Sequence, residues 1–294
     1  MLSSFIKQHH LPDTFEQTAN SYYQPIAEQL VRDYKGSLTL LFVGVNGCQG
    51  SGKSTLSQYL AAYISEKYQL NVLVMSLDDF YLSSEHRKQL AQSIHPLLAT
   101  RGVPGTHDTS AMADVFQKLA NNSCGFAVPK FNKATDEPFE PSQWQTIQQP
   151  VDIVLFEGWC WGVKAQSAAQ LKTPINALEK TQDVDGIWRS YVNQQLAQYY
   201  QPLYQYINYW LVLKAPSFDC VYQWRLEQEQ KLSKSSQLNA INNKVMTPAQ
   251  VLDFIQYFQR LTEHGLNTLS ESANGLLSLD AQRNITKFSV GVAN

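Results

Sequence analysis

Only four cysteines, Cys48, Cys124, Cys160 and Cys220, occur in the 294 residues of this chain, and none forms a C-x-x-C pair. That scarcity excludes a dense disulfide framework and argues against a structural zinc site. The six histidines never take the H-E-x-x-H spacing that places two imidazoles on one helix face. No run of about 18 apolar residues exists, so no membrane-spanning helix is expected. The opening residues, Met1-Leu2-Ser3-Ser4-Phe5-Ile6-Lys7, have neither an apolar nor a basic region of the secretory kind. A reducing cytoplasm is therefore the expected setting. Neither sign of charge dominates: 23 Lys and Arg stand against 25 Asp and Glu, a net charge of −2. A broad nucleic-acid footprint needs a basic surface and is not expected. There is no internal repeat, and the glutamines are scattered through amphipathic segments rather than massed in a tract.

What is present is an ordinary globular composition, 44 % apolar, enough for a packed core. Tyr23, Ile26, Leu30 and Tyr34 recur at helical spacing within Pro12 to Tyr34. Leu38 to Val45 is a continuous apolar run, which fits a strand buried on both faces of a parallel sheet. A glycine-rich turn and a helix over about Lys53 to Tyr68 follow. Further strands are expected at Asn71 to Leu77, Val151 to Phe156, Tyr209 to Leu213 and Gly275 to Leu279. Helices are expected over Ile187 to Ile207, over Phe218 to Leu232 and from Thr247-Pro248 onward. Residues 80–150 are rich in Pro, Gly and Asn and predict an insertion over the sheet edge, mobile in part. Strands alternating with helices predict an α/β fold with a doubly wound, mainly parallel sheet.

Gly47-Cys48-Gln49-Gly50-Ser51-Gly52-Lys53-Ser54 matches G-x-x-x-x-G-K-[ST], and it lies between a buried strand and a helix, as the motif requires. Glycines allow successive N–H groups to converge on one concavity. The helix N-terminus adds partial positive charge there. Lys53 brings a full charge to the outer phosphates and Ser54 a hydroxyl to Mg²⁺; Thr55 completes the phosphate-binding set. Two strands then end in acids, one in Asp78-Asp79-Phe80-Tyr81 and one in Glu157-Gly158-Trp159. Ligands of open α/β sheets gather at such carboxyl ends. One acid could sit near a metal and another accept a hydroxyl proton. Asp78 could instead cap a turn and Glu157 be a plain loop acid. Asp152 lies at the wrong end of its strand for either task.

These blocks together resemble the P-loop kinases that include phosphoribulokinase, uridine kinase and pantothenate kinase, and within them the D-glycerate 3-kinase family. The matching segments are Gly47 to Ser54, Ser76 to Leu82, His95 to Asp108, Val154 to Gly162 and Trp224 to Glu229. The resemblance implies one P-loop kinase domain over 1–294: a helical extension at 1–36, an acceptor-side insertion at about 80–150 and a lid at about 218–246. It implies ATP and Mg²⁺ as cofactors and a small hydroxyl acceptor, most simply D-glycerate. By the same resemblance Asp78 is the catalytic base, Glu157 and Ser54 attend the metal, and Lys53 and Arg225 neutralise the phosphates. Asp78, Tyr81, Arg101, His107, Asp108 and Lys133 fall to the acceptor. Trp159 and Trp161, just past Glu157, are candidates to line its pocket.

One segment departs from the pattern. Where the family reads P-x-[FY]-D-K-S, this chain has Pro129-Lys130-Phe131-Asn132-Lys133-Ala134. If the usual aspartate holds substrate, it is missing here. Arg225 also has Glu229 four residues on, so a helix-face ion pair is a rival to the lid role. Oxidation of Cys48, inside the phosphate loop, could block nucleotide binding. Other acceptors (a nucleoside, pantothenate or a sugar) stay open, as does a non-catalytic ATP-binding regulator. A guanine-specific switch would need N-K-x-D, and both Asn132-Lys133-Ala134-Thr135 and Asn243-Lys244-Val245-Met246 lack the aspartate.

Overall fold

The computed structural model describes residues 2–239 and 246–291. Its centre is a six-stranded sheet: β1 (Leu41–Gly47), β2 (Val72–Ser76), β3 (Ile153–Gly158), β4 (Tyr209–Lys214), β5 (Gly275–Leu279) and β6 (Ile285–Val290). The spatial order is β6-β5-β4-β1-β3-β2. All neighbours pair in parallel except β5 and β6, which are antiparallel. The mainly parallel α/β sheet expected from the sequence is the one found.

The strands read as unbroken apolar runs because both faces are covered. Leu41, Val43 and Val45 of β1 and Ile153 and Leu155 of β3 point into one core; Phe42, Val154 and Phe156 point into the other. The first core lies under α1 (Gln24–Ser37) and α2 (Lys53–Tyr68). There Phe5, Phe15 and Tyr23 surround the buried Tyr59 ring. The second core is built with α3 (Ser84–Ser93), α4 (Thr109–Ala120), α5 (Ile187–Gln195) and the long α7 (Pro248–Thr268), which follows α6 (Asp219–Asn239).

Several boundaries differ from expectation. Leu38 is not in β1: it takes the left-handed conformation, φ 53°, that ends α1, and it is 76 % exposed. The 80–150 segment does not merely overhang the edge. Phe116 of α4 stacks on Phe42 of the central strand at 5.3 Å, and Leu97, Leu98, Val103 and Met112 join the same core. Beyond α4 the segment forms two short antiparallel pairs, Phe126–Val128 with Gln145–Ile147 and Phe131–Asn132 with Glu137–Pro138. β6 was not foreseen. The start of α7 was: Thr247 and Gln250 form a reciprocal cap with Pro248 at the first turn. Residues 240–245 of the expected lid, including Asn243 and Lys244, lie outside the described residues.

At the end of the sheet away from the phosphate loop, Asp152 is a fastener. It accepts hydrogen bonds from the Tyr34 hydroxyl and from the Asn71 N–H, the latter at 2.7 Å. At the other end, Asn46 donates to the Trp159 and Trp161 carbonyls at 3.2 and 2.7 Å. That ties the tip of β1 to the loop after β3.

Candidate active site

Parallel pairing puts the carboxyl ends of β1, β2 and β3 along one edge, so the three chemistry-bearing loops emerge side by side. From β1 the chain turns through Gly47 to Gly52 and enters α2 at Lys53. Gly52 caps α2 with φ 93° and no side-chain cap, which leaves the first amides of the helix free for a ligand. Gly50 has φ 77°, and a Cβ there would lie 2.7 Å from Trp224 Cβ on α6. Only glycine lets the loop pass beneath that helix.

The carboxylate at the tip of β3 meets this loop. The Ser54 hydroxyl donates to Glu157 Oε1 at 2.8 Å, and Lys53 Nζ stands 3.7 Å from Glu157 Oε2. That Oε2 is buried and has no hydrogen-bond partner among the described residues. A buried carboxylate oxygen left unsatisfied beside a hydroxyl is costly unless something else binds it. Two hard oxygens of this kind suit Mg²⁺, which takes one or two protein oxygens and completes its shell with phosphate and water.

After β2 the chain makes a short turn, Leu77–Phe80, capped reciprocally by Ser76 and Asp79. The cap belongs to Asp79, so Asp78 is free to face the cavity. Asp78 Oδ1 accepts from the Tyr81 hydroxyl at 2.8 Å and Oδ2 from Lys133 Nζ at 2.5 Å. Burial disfavours the charge on Asp78, but Lys133, Lys53 and the two hydrogen bonds outweigh it and hold the carboxyl at about 2. The group is therefore an anion poised to accept a hydrogen bond. Lys130 pairs with the neighbouring Asp79 at 2.8 Å.

These groups wall a cavity of about 250 Å³ together with Gln49, Gly50, Arg101, Trp159, Arg225, Gln228, Phe254 and Phe258. Four cations and two carboxylates line it, a setting for a polyanion. Arg101 lies over the Tyr81 and Phe131 rings, 5.9 and 5.5 Å from their centroids, and pairs with Asp136, which also holds the buried Arg87. Arg225 does make the ion pair with Glu229, yet it also lines the cavity and lies 5.7 Å from the Phe254 ring. The two readings of Arg225 are compatible.

Other residues expected at the site are placed elsewhere. The Asp108 carboxylate caps α4 by accepting from the Ala111 N–H at 2.9 Å and does not line the cavity. His107 is buried behind Tyr81, ring on ring at 4.5 Å, with Nδ1 2.6 Å from the Tyr200 hydroxyl. Burial pushes its pKa down to about 3, only partly offset by Asp78, so the imidazole is neutral. Trp161 is core, with no exposure. Cys48 is buried beneath the loop, and burial raises its thiol to about 12 despite Lys53, so it stays protonated. Gly47, Ser51, Gly52 and Thr55 form the loop and first helical turn without lining the cavity. Asn132 faces the backbone: its Oδ1 accepts from the Ala134 N–H at 3.0 Å, closing a turn that aspartate would close equally well. Phe254, Phe258 and Gln228 were not foreseen. Their spacing on amphipathic or charged helices signals only a packed face.

Fold and site together define a P-loop phosphotransferase: the glycine-rich loop with Lys53, Ser54 and Glu157 on one wall, Asp78 with cations on the other. Sequence comparison gives the narrower placement. The uncharacterized kinase mug58 of Schizosaccharomyces pombe is 31 % identical over 242 residues, 79 % of this chain and 83 % of that protein. A chloroplastic D-glycerate 3-kinase of Arabidopsis thaliana is 28 % identical over 261 residues, 83 % of this chain and 53 % of its own length. The D-glycerate 3-kinase of Cryptococcus neoformans superposes with a TM-score of 0.75 over 92 % of this chain and 99 % of its own, a likeness of fold at 24 % identity. No family model matches the chain. The chain belongs to the D-glycerate 3-kinase family.

Proposed function

We propose that this protein transfers the γ-phosphoryl group of ATP to a hydroxyl of D-glycerate. The observation that carries the reading is the single cavity that joins Lys53, Ser54 and Glu157 to Asp78, Arg101 and Lys133. One wall suits a triphosphate tail. The opposite wall offers a hydrogen-bond acceptor for a hydroxyl and two cations for a small anion. The volume, about 250 Å³, suits a compact acceptor more than a nucleoside or pantothenate beside the phosphates.

Ser54 and Glu157 would hold Mg²⁺, which supplies charge neutralisation at the β- and γ-phosphates when bound. The loop amides and Lys53 fix the tail and hold the γ-phosphorus toward the second wall. Arg101 and Lys133 orient the acceptor. Asp78 accepts a hydrogen bond from its hydroxyl and takes the proton as the new O–P bond forms and the bond to the β-phosphate oxygen breaks. Asp78 is a weak base at a pKa of about 2, so its main task is orientation, with proton transfer late. Arg225 would meet charge on the transferred group. The Trp159, Phe254 and Phe258 rings line the cavity and would limit the water around the transferred group once the substrates fill it. A cytoplasmic setting is part of the same reading, supported by four cysteines that are all free thiols. Among the described residues no helix is long and apolar enough to cross a membrane.

The test is ADP release, in a coupled assay, over a panel of hydroxy acids, sugars, nucleosides and pantothenate. D-glycerate should give the highest kcat/KM, with near silence when no acceptor is added. Acceptor-independent ADP release, or preference for a neutral acceptor, would reject the reading.

A further inference from the structure

The two cations that line the acceptor wall, Arg101 and Lys133, and the neighbouring Lys130 are all engaged by carboxylates of the protein itself. Arg101 pairs with Asp136, Lys130 with Asp79 and Lys133 with Asp78. The three pairs are not equivalent. Arg101 lies over two aromatic rings, and Asp136 is shared with the buried Arg87. Lys130 and Asp79 are 29 % and 17 % exposed, and Asp79 is fixed by its cap. Lys133 is 60 % exposed, sits on the tight turn at Asn132–Thr135, and has Asp78 as its partner. A lysine on a flexible four-carbon stem can exchange partners at little cost.

Lys133 also sits on the oxygen that matters. Tyr81 holds Asp78 Oδ1, and Lys133 covers Oδ2 at 2.5 Å. A cation there makes Asp78 a poor proton acceptor and competes with an incoming hydroxyl. Tyr81, Lys53, His107 and Cys160 are the other titratable groups coupled to Asp78, and all four are anchored or buried, which leaves Lys133 as the movable one.

We infer that Lys133 is a specificity-determining residue that moves from Asp78 to the anionic group of the acceptor, so that an acceptor carrying a carboxylate frees the base and a neutral one does not. The inference rests on the proposed reaction at this site. It adds that selection occurs at the base as well as by affinity. When Lys133 transfers to the acceptor's carboxylate, Oδ2 opens to the hydroxyl, its proton passes to Asp78, the oxygen bonds to the γ-phosphorus, and ADP departs with the electrons of the broken bond.

The experiment compares D-glycerate with glycerol, which keeps two hydroxyls and lacks the carboxylate, in the wild type, Lys133→Met and Lys133→Arg. Lys133→Met should lower kcat/KM for D-glycerate by roughly 10- to 100-fold, the scale of one charged hydrogen bond. It should also raise kcat/KM for glycerol in absolute terms, by about tenfold or more. Lys133→Arg should keep the wild-type preference. A simple carboxylate ligand would lose D-glycerate activity without any gain on glycerol. Glycerol turnover that stays flat, falls or remains undetectable in Lys133→Met overturns the inference. D-glycerate activity in the wild type decides the underlying reaction separately.

Discussion

The two walls of the cavity are built on different plans. The wall proposed for the nucleotide comes from one short stretch of chain, with Gln49, Gly50, Lys53 and Ser54 of the glycine-rich loop lining it, plus one carboxylate brought in by the neighbouring strand at 2.8 Å. The wall proposed for the acceptor is mostly side chains drawn from distant segments, among them Asp78, Arg101, Lys133, Trp159, Phe254 and Phe258. A cradle of amides recognises phosphate whatever is attached to it, and it depends on local conformation alone. A wall of side chains can be changed one residue at a time, so it is where a shared scaffold acquires its own substrate.

That contrast can be broken most directly at Asp78. Asp78→Asn should lower kcat by about 10²–10⁴ while leaving ATP affinity within a few-fold; calorimetric titration and steady-state kinetics read the two separately. A matching loss of ATP affinity would mean the walls are not independent. Lys53→Ala should do the opposite, weakening ATP binding and lowering kcat/KM by roughly 10²-fold. An unchanged ATP titration would contradict the loop assignment.

Gly102→Ala probes the acceptor wall without touching a charge. Gly102 has φ 139°, and a Cβ there would lie 2.4 Å from the Phe258 ring. The cost should be about 1–3 kcal/mol in urea unfolding, with acceptor KM rising more than ATP KM. Asn132→Asp should change D-glycerate kcat/KM by less than about threefold, because either side chain closes the same turn. A large gain would mean that the carboxylate reaches substrate after all. In timed alkylation at pH 8, the exposed Cys124 should label well before the buried, protonated Cys48. Fast, nucleotide-protected labelling of Cys48 would revive a redox role.

The same contrast explains what could be read from the sequence. The phosphate loop was legible because its chemistry is contiguous. The buried parallel strands were legible because two covered faces leave an unbroken apolar run. β6 was not: it is antiparallel, largely unburied, and its register slips between Ile285 and Lys287, which spoils the period of two. Phe254 and Phe258 could not be told from core residues, since four-residue spacing on an amphipathic helix is the ordinary signature of packing. The sequence left open whether the replacement of aspartate by Asn132 removes a ligand; the turn that Asn132 closes could be seen only in the structure. Asp108 stood in a block rich in chemistry, yet its work is to start α4.

The third strand acts as a ruler. Its lower end is preceded by Asp152, pinned to Tyr34 and Asn71, and five residues on it delivers Glu157 to Ser54. Side chains alternate faces along a strand, so deleting a single residue between the two acids would rotate Glu157 away from the loop or tear Asp152 from its anchors. Lineages carrying this fold should therefore vary the composition of that stretch freely among apolar types while holding its length constant.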